Sequence, residues 1–102
     1  MSKSLDKLER ADFVPWLNQK FVIRLAGLEP IDLELIQVSD LGNAPGPEQR
    51  QPFSLFFRGP VSNSYLPQSI YRLEHEHFSA LELFIVPLGP QQGRMQYQAI
   101  FN

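Results

Sequence analysis

The two histidines of the chain, His75 and His77, lie two residues apart in the stretch RLEHEHFSALELFIVP. Side chains at i and i+2 of a strand share a face, so both imidazoles could bind one metal ion, with a carboxylate from Glu74, Glu76 or Asp40. In a strand, however, Glu74 and Glu76 would point away from both rings. The alternative is a polar turn whose imidazoles bond to carbonyls or nearby carboxylates. We favour the turn and predict no metal and no cofactor, because a third histidine and an H-E-x-x-H spacing are both missing.

Other reactive residue types occur without the pattern that catalysis needs. Ser54 and Ser79 could be nucleophiles beside a histidine, but neither lies in a G-x-S-x-G elbow. Asp32 and Glu34 share one face of a predicted strand, which is typical of the solvated side of a sheet. Arg58, followed by glycine and proline, could bind an anionic group, although such an arginine more often pairs with a local carboxylate or stacks on an aromatic ring. We therefore predict no catalytic residue.

Composition indicates a soluble protein with one domain over residues 1–102. The chain has 43% apolar and 20% charged residues, and eight Phe, three Tyr and one Trp supply bulky core material. The net charge is -2 and no two basic residues are adjacent, so we expect no nucleic-acid partner. There is no cysteine, no signal-peptide pattern, and no apolar run near the ~18 residues of a membrane helix. We expect a cytoplasmic protein that does not enter the membrane.

The N-terminal part, residues 4–18, has the only helical pattern. Ser4 with Glu9 predicts one helix cap, and Asp12 predicts a second cap for a short segment with Pro15 in its first turn. One or two short helices are therefore expected before the rest of the chain.

From residue 20 to 102 the apolar period changes to two, which predicts about six antiparallel strands. The phase of the alternation slips near Ile36, which indicates a bulge or bend. Proline and glycine place loops near residues 42–52 and 59–69. The predicted fold is mainly β: a small half-open barrel or curled sheet, plugged by the helical segment, because six strands must close or cover their edges.

Two further turns are predicted in the second half of the chain. A polar turn through Glu76 and Ser79 should join the fourth and fifth strands. Gly89, Pro90 and Gly93 mark the turn before the last strand.

The outward faces of the predicted strands are not polar throughout. Five apolar residues lie opposite the main apolar set: Val22, Phe56, Phe84, Val86 and Ile100. The N-terminal helix, with Phe13, Trp16 and Leu17, could cover this second apolar face. A homodimer or protein partner could cover it instead, since such patches mark interfaces. A small-molecule pocket at the barrel mouth is the third possibility.

Several stretches of the chain, PFSLFFRGP, LPQSIYRLEH, LELFIVPLGP and MQYQAIFN, resemble a bacterial family of roughly 100-residue proteins classified only as a domain of unknown function. The resemblance covers nearly the whole chain from Phe13, and departs from the family's LPQG at Ser69. It carries no catalytic residues. Because members are often encoded beside phage-tail-collar-like proteins, it implies an accessory, chaperone or assembly role. The polar residues in the matching stretches are Arg58, Gln68, Tyr71 and His75.

The leading prediction is a non-catalytic interaction or assembly module that acts through its apolar and aromatic face. Its partner would be a second copy of the chain or another protein, such as a phage-tail-like component. The alternative is a small enzyme or small-ligand-binding barrel with a site around His75, Tyr71 and Arg58. The enzyme requires these side chains to meet at a cavity, and the ligand-binding barrel requires an unfilled interior.

Overall fold

The structure is a computed structural model that describes residues 8–42, 52–61, 65–76 and 78–101. A short helix, α1 (Arg10–Phe13), runs directly into a 3₁₀ helix (Val14–Trp16). The strands that follow are β1 (Lys20–Ile23), β2 (Ile31–Asp40), β3 (Phe53–Val61), β4 (Ser69–His75), β5 (Phe78–Gln91) and β6 (Arg94–Phe101).

The six strands form a closed barrel in the order β1-β2-β3-β6-β5-β4, and every neighbouring pair is antiparallel. Four of the six pairings join consecutive strands, and two join distant parts of the chain: β3 with β6, and β1 with β4. The predicted mainly β fold of about six antiparallel strands is confirmed. The ring closes through the β1–β4 pair, so the barrel is not left half-open.

Alternate residues of each strand fill the barrel interior. The inward sets are the ones that the period of two predicts, including Phe53, Leu55 and Phe57 of β3, which are fully buried. At the barrel centre the Phe21 and Phe57 rings meet edge to face, with their centroids 5.5 Å apart. Each large side chain buried in this way contributes about 1.5–3 kcal/mol, so the packed interior is the main source of stability.

Register shifts interrupt four of the ladders, and two of these shifts involve β3. Leu35 lies opposite Phe57 and Gln37 lies opposite Phe56, which leaves Ile36 as the extra residue of a bulge, as predicted. A second shift falls between Arg58 and Val61 on β3. Its two intervening residues are a glycine and a proline, and proline has no N–H to give to the ladder.

The ends of several elements differ from the sequence prediction. β5 already begins at Phe78, which pairs with His75, so the turn is shorter than the predicted one through Ser79. Gly89 and Pro90 belong to β5 rather than to a turn. The chain reverses after them at Gln92, where φ is 53°. Pairing with β6 extends β5 through these residues. The local pattern of glycine and proline could not predict this pairing.

The loops predicted by proline and glycine lie partly outside the described residues. Residues 43–51 of the predicted loop at 42–52 are not described. The loop predicted at 59–69 begins later, because β3 continues to Val61.

Within the described residues the helical segment runs from Arg10 to Trp16, and its cap differs from the predicted one. Residues 4–7 lie outside the described part of the chain. Asp12 does not begin a second helix: its Oδ2 accepts a 2.8 Å hydrogen bond from the backbone N–H of Glu9, and its own N–H donates to the Glu9 carbonyl at 2.9 Å. Glu9 is therefore the N-cap, and Asp12 stands three residues later as the reciprocal partner. Pro15 lies in the 3₁₀ helix that follows.

The helical segment closes one end of the barrel. Phe13 is fully buried, and its ring centroid lies 5.9 Å from that of Phe53 and 5.5 Å from that of Phe101. Phe53 and Phe101 stack at 4.6 Å with an interplanar angle of 9°. The predicted plug is therefore present, but it covers the inward residues. The expectation that it covers the second apolar face is wrong, because Phe84 and Ile100 stay about half exposed.

The opposite end of the barrel is closed by residues 65–68, which precede β4. The N–H of Leu66 donates a 2.9 Å hydrogen bond to Oη of Tyr97 on β6. The Tyr71 hydroxyl donates a 2.6 Å bond to the carbonyl of Pro67. Burial raises the pKa of both tyrosines.

Candidate interaction surface

Three large apolar side chains point out of the barrel on adjacent strands. Ile70 of β4 lies directly opposite Phe84 of β5, and Ile100 lies on the next strand, β6. Val86 pairs with Gln98, so Phe84 and Ile100 occupy the next outward positions of β5 and β6. Their exposed fractions are 63% for Ile70, 51% for Phe84 and 54% for Ile100. We call these three residues the apolar band.

Two of the other predicted surface residues extend the apolar band. Phe56 of β3 and Val86 of β5 both lie opposite Gln98 of β6, one on each side of it, and both are half-buried. Val22, in contrast, lies on β1 between Asp32 and Glu74. Polar neighbours surround it there. The structure therefore brings together four of the five predicted residues and separates the fifth.

Ile70 was missed by the sequence reasoning. It precedes Tyr71, which is buried inside the barrel, and it shares the outward face of β4 with the exposed Arg72. The signal was present in the same alternation, since a residue next to an inward tyrosine must point outward. Because each of these side chains is only partly buried, each forgoes roughly half of the about 1.5–3 kcal/mol that complete burial contributes. Contiguous patches of this kind mark interaction sites.

Arg58 is engaged with a carboxylate on the outer surface of the barrel. It lies opposite Glu34 of β2, and its Nη2 and Nε donate to the same Oε1 at 2.5 and 3.2 Å. Nη2 of Arg94 lies 3.9 Å from that oxygen, and its Nε donates to the Gly59 carbonyl at 2.7 Å. The hydrogen bond from Arg58 lowers the pKa of Glu34, although partial burial opposes the shift. The charge of this arginine is thus already balanced within the protein.

The other three polar candidates lie on or just before β4, on the opposite side of the barrel from Arg58. Tyr71 and His75 point inward and are buried, whereas Gln68 is exposed. His75 packs between aromatic rings, with its centroid 4.7 Å from Phe21 and 5.2 Å from Trp16. The structure does not bring Arg58 together with Tyr71 and His75.

His75 also forms a polar contact at the edge of a surface groove. Its Nε2 lies 2.7 Å from Oε1 of Gln19. The groove, of about 610 Å³, follows the outer side of the β1–β4 seam, where Nε of Arg24 lies 3.3 Å from Oε1 of Glu74. Residues lining it are Asn18, Gln19, Lys20, Val22, Arg24, Glu74, His75 and Glu76. Its lining mixes both charges with amides, so it favours no single class of ligand.

The remaining chemical candidates form no site in the described part of the chain. Ser54 is fully buried, and its Oγ has no hydrogen-bond partner there. The Ser79 side chain and all of His77 lie outside what is described, so the histidine pair stays a prediction. Among the described residues, no group of three or more His, Asp or Glu side chains is arranged to hold a metal ion. None of the described helices has the length and apolarity to cross a membrane.

Comparison with known proteins assigns the chain to a family on the basis of its sequence. Neither the curated proteins nor the solved structures give a significant match. The sequence pattern of one family, described as Domain of unknown function (DUF6916), matches residues 8–101. This match spans α1 and all six strands, which agrees with the resemblance to a domain of unknown function. The chain therefore belongs to the DUF6916 family of domains of unknown function.

Proposed function

We propose that this chain is a non-catalytic protein-interaction or assembly module that binds its partner through the apolar band. The observation that carries the proposal is the arrangement of Ile70, Phe84 and Ile100, each more than half exposed, on three neighbouring strands. Burying them in an interface recovers free energy that the isolated barrel forgoes. The half-buried Phe56 and Val86 widen the contact.

The placement of the polar candidates supports a binding role over a catalytic one. General acid–base and nucleophilic catalysis need groups within hydrogen-bond reach of one another. Arg58 is held by Glu34 on the outside of β3, whereas Tyr71 and His75 are inside the barrel on β4. The packed aromatic interior likewise argues against a ligand-binding barrel.

The partner in this proposal is a protein of the cytoplasm. A phage-tail-like component fits the assembly role that the sequence resemblance implied, and a second copy of this chain is the other candidate. Both candidates use the same surface, so one pair of variants tests both.

The test compares two variants of the full chain. A double variant, Phe84→Ser with Ile100→Thr, removes most of the apolar band. A matched control, Val61→Thr, replaces a 77% exposed residue at the far end of β3. Sedimentation velocity at micromolar concentrations measures self-association, and affinity capture from cells of the source organism measures partner binding.

We expect the double variant to lose the homo-oligomer or the captured partner, and the control to retain it. A wild-type chain that stays monomeric and captures no partner contradicts the proposal. So does a double variant that associates as well as the wild type. Circular dichroism of all three proteins separates loss of binding from loss of fold.

A further inference from the structure

β1 covers only part of the edge of β4. β1 and β4 pair at Val22 with Glu74 and at Ile23 with Leu73, and β1 then ends. β4 extends further, to Ser69. We call residues 69–72 the open β4 edge. On the side away from β5 they have no partner strand in the described part of the chain.

The turn between β1 and β2 leaves this edge uncovered. It is closed within itself by the N–H of Leu28, which donates to the Leu25 carbonyl at 3.1 Å, and by Gly27 with φ of 77°. Residues 26–30 are all exposed. No backbone hydrogen bond in the described ranges joins residues 24–30 to β4. The hairpin tip therefore extends into solvent beside the open β4 edge.

An unpaired strand edge is a template for another strand, because its N–H and C=O groups lack partners in the sheet. The open β4 edge is also the margin of the apolar band, since Ile70 belongs to both. A strand placed beside β4 would put a side chain next to Ile70. The outward apolar row would then run from the added strand through Ile70 to Phe84 without interruption.

We propose that the open β4 edge accepts an extended peptide segment of the partner, which pairs antiparallel to β4 and continues the line that β1 leaves at Ile23. This inference rests on the proposed function and specifies how the partner binds. Main-chain hydrogen bonds to residues 69–72 hold the segment, and the apolar band contributes the side-chain contacts.

The side chains of β4 define which peptide fits. Opposite Ile70 an outward apolar residue extends the band. Opposite Arg72 an outward acidic residue is favoured, because the cross-strand neighbour of Arg72 is Glu82 on β5 and no strand of the described part of the chain lies on its open side. Between them, opposite the inward Tyr71, a β-branched residue suits the rim of the barrel. In the direction from its N-terminus, the peptide segment therefore has an acidic residue, then a β-branched residue, then an apolar residue.

The probe for this inference is a synthetic peptide, Ser-Glu-Val-Ile-Thr-Ser, with both ends blocked and a fluorescent label. One version carries backbone N-methyl groups on Glu and Ile, and another carries them on Val and Thr. The two versions block opposite edges of the same strand. Binding to the full chain is measured by fluorescence anisotropy, and amide exchange of residues 69–72 by NMR.

We expect one N-methylated version to bind about tenfold more weakly than the parent peptide, because two ladder hydrogen bonds are lost. The other version should bind as the parent does. Alternate amides among residues 69–72 should be protected from exchange by the parent peptide. Equal binding of both versions, or no binding of the parent at millimolar concentration, overturns the inference.

A charge exchange tests the register. Arg72→Glu should weaken binding of the parent peptide about threefold and favour a peptide with Lys in place of its Glu, because it exchanges the charge of a cross-strand pair. Lys20→Glu makes the same charge change away from the open β4 edge and should alter neither affinity. A Lys peptide that gains nothing from Arg72→Glu contradicts the proposed register.

The two proposals fail in different ways. If Phe84→Ser with Ile100→Thr abolishes association while both N-methylated peptides bind equally, the apolar band binds a partner without strand addition. If the N-methyl pair discriminates but that double variant associates normally, strand addition occurs and the band is not the partner surface.

Discussion

Ile70 on β4 and Phe84 on β5 are directly paired across the sheet, and both side chains point out of the barrel into solvent. Their inward neighbours, Tyr71 and Leu83, are also paired and are buried. The register between β4 and β5 therefore places a buried pair and an exposed pair next to each other. The surface pair adds little to the stability of the isolated chain, which makes it available for a partner.

The first prediction compares how much an exposed and a buried residue of β5 contribute to the free energy of unfolding. Phe84→Thr should change the free energy of unfolding by less than about 1 kcal/mol, because half of the ring is already in water. Leu83→Ala, one residue away, should cost about 2–5 kcal/mol through the cavity that it leaves. Urea denaturation of both variants checks this. Similar losses for both would mean that Phe84 is packed rather than exposed.

The second prediction concerns the helical plug. Phe13→Ala should destabilise the chain by about 3–5 kcal/mol, because a fully buried ring that packs against both Phe53 and Phe101 is removed. Val14→Ala replaces a 40% exposed neighbour and should cost well under half as much. Thermal unfolding followed by near-ultraviolet circular dichroism reports both effects. A small loss for Phe13→Ala would show that the barrel end is closed without it.

The third prediction tests the strap at the other end of the barrel. Tyr97→Phe removes the acceptor of the Leu66 N–H and should cost about 1–3 kcal/mol, because a buried donor loses its bond. Tyr65→Phe, at a 59% exposed ring, is the control and should have little effect. Amide exchange at Leu66 should accelerate only in the first variant. Unchanged exchange there would contradict the hydrogen bond.

The fourth prediction is that the stability of the folded chain falls at alkaline pH because of Tyr97. Burial raises its pKa above the ordinary value of 10.0, so the neutral phenol is favoured in the folded chain. The associated stabilisation is complete below pH 10 and is lost as the pH rises through the raised pKa. Denaturation midpoints between neutral pH and pH 11 should fall less steeply for Tyr97→Phe than for the wild type. Parallel curves would mean that another group causes the loss.

The fifth prediction concerns the stability of the chain at acid pH. The hydrogen bond from Arg58 lowers the pKa of Glu34 below its ordinary value of 4.5. Its contribution is therefore present above pH 4.5 and is lost as the pH falls through the lowered pKa. Glu34→Gln should remove about 1 kcal/mol at neutral pH and flatten the loss of stability in acid. Asp32→Asn, which removes an exposed carboxylate on the same face of β2, is the matched control. An identical acid slope for Glu34→Gln would exclude the ion pair as its source.

Much of the barrel follows from local pattern. The period of two separates Leu81, Leu83 and Ile85, which are buried, from the outward Phe84, because successive side chains of any strand point to opposite faces. The slip of this pattern near Ile36 likewise marked the bulge. Such features depend only on residues close in sequence, and they were predicted correctly.

Pairing across long sequence distances did not follow from the pattern. Phe56 and Val86 lie on one surface only because β6 is placed between β3 and β5. Packing of the whole core determines this strand order. Arg58 and His75, which were grouped as one possible site, were separated for the same reason. The turn predicted at Gly89 and Pro90 was also wrong, because cross-strand pairing extends β5 through both residues.

By itself, then, the sequence determined which side chains point inward, how many strands there are, and that apolar residues remain on the outside. The tertiary structure alone decided that Ile70 joins Phe84 and Ile100 in one band, and that β1 stops short of the β4 edge. The physical reason is that side-chain alternation is a property of each extended strand. Strand order and the length of a pairing arise from the balance of burial and chain entropy over the whole barrel.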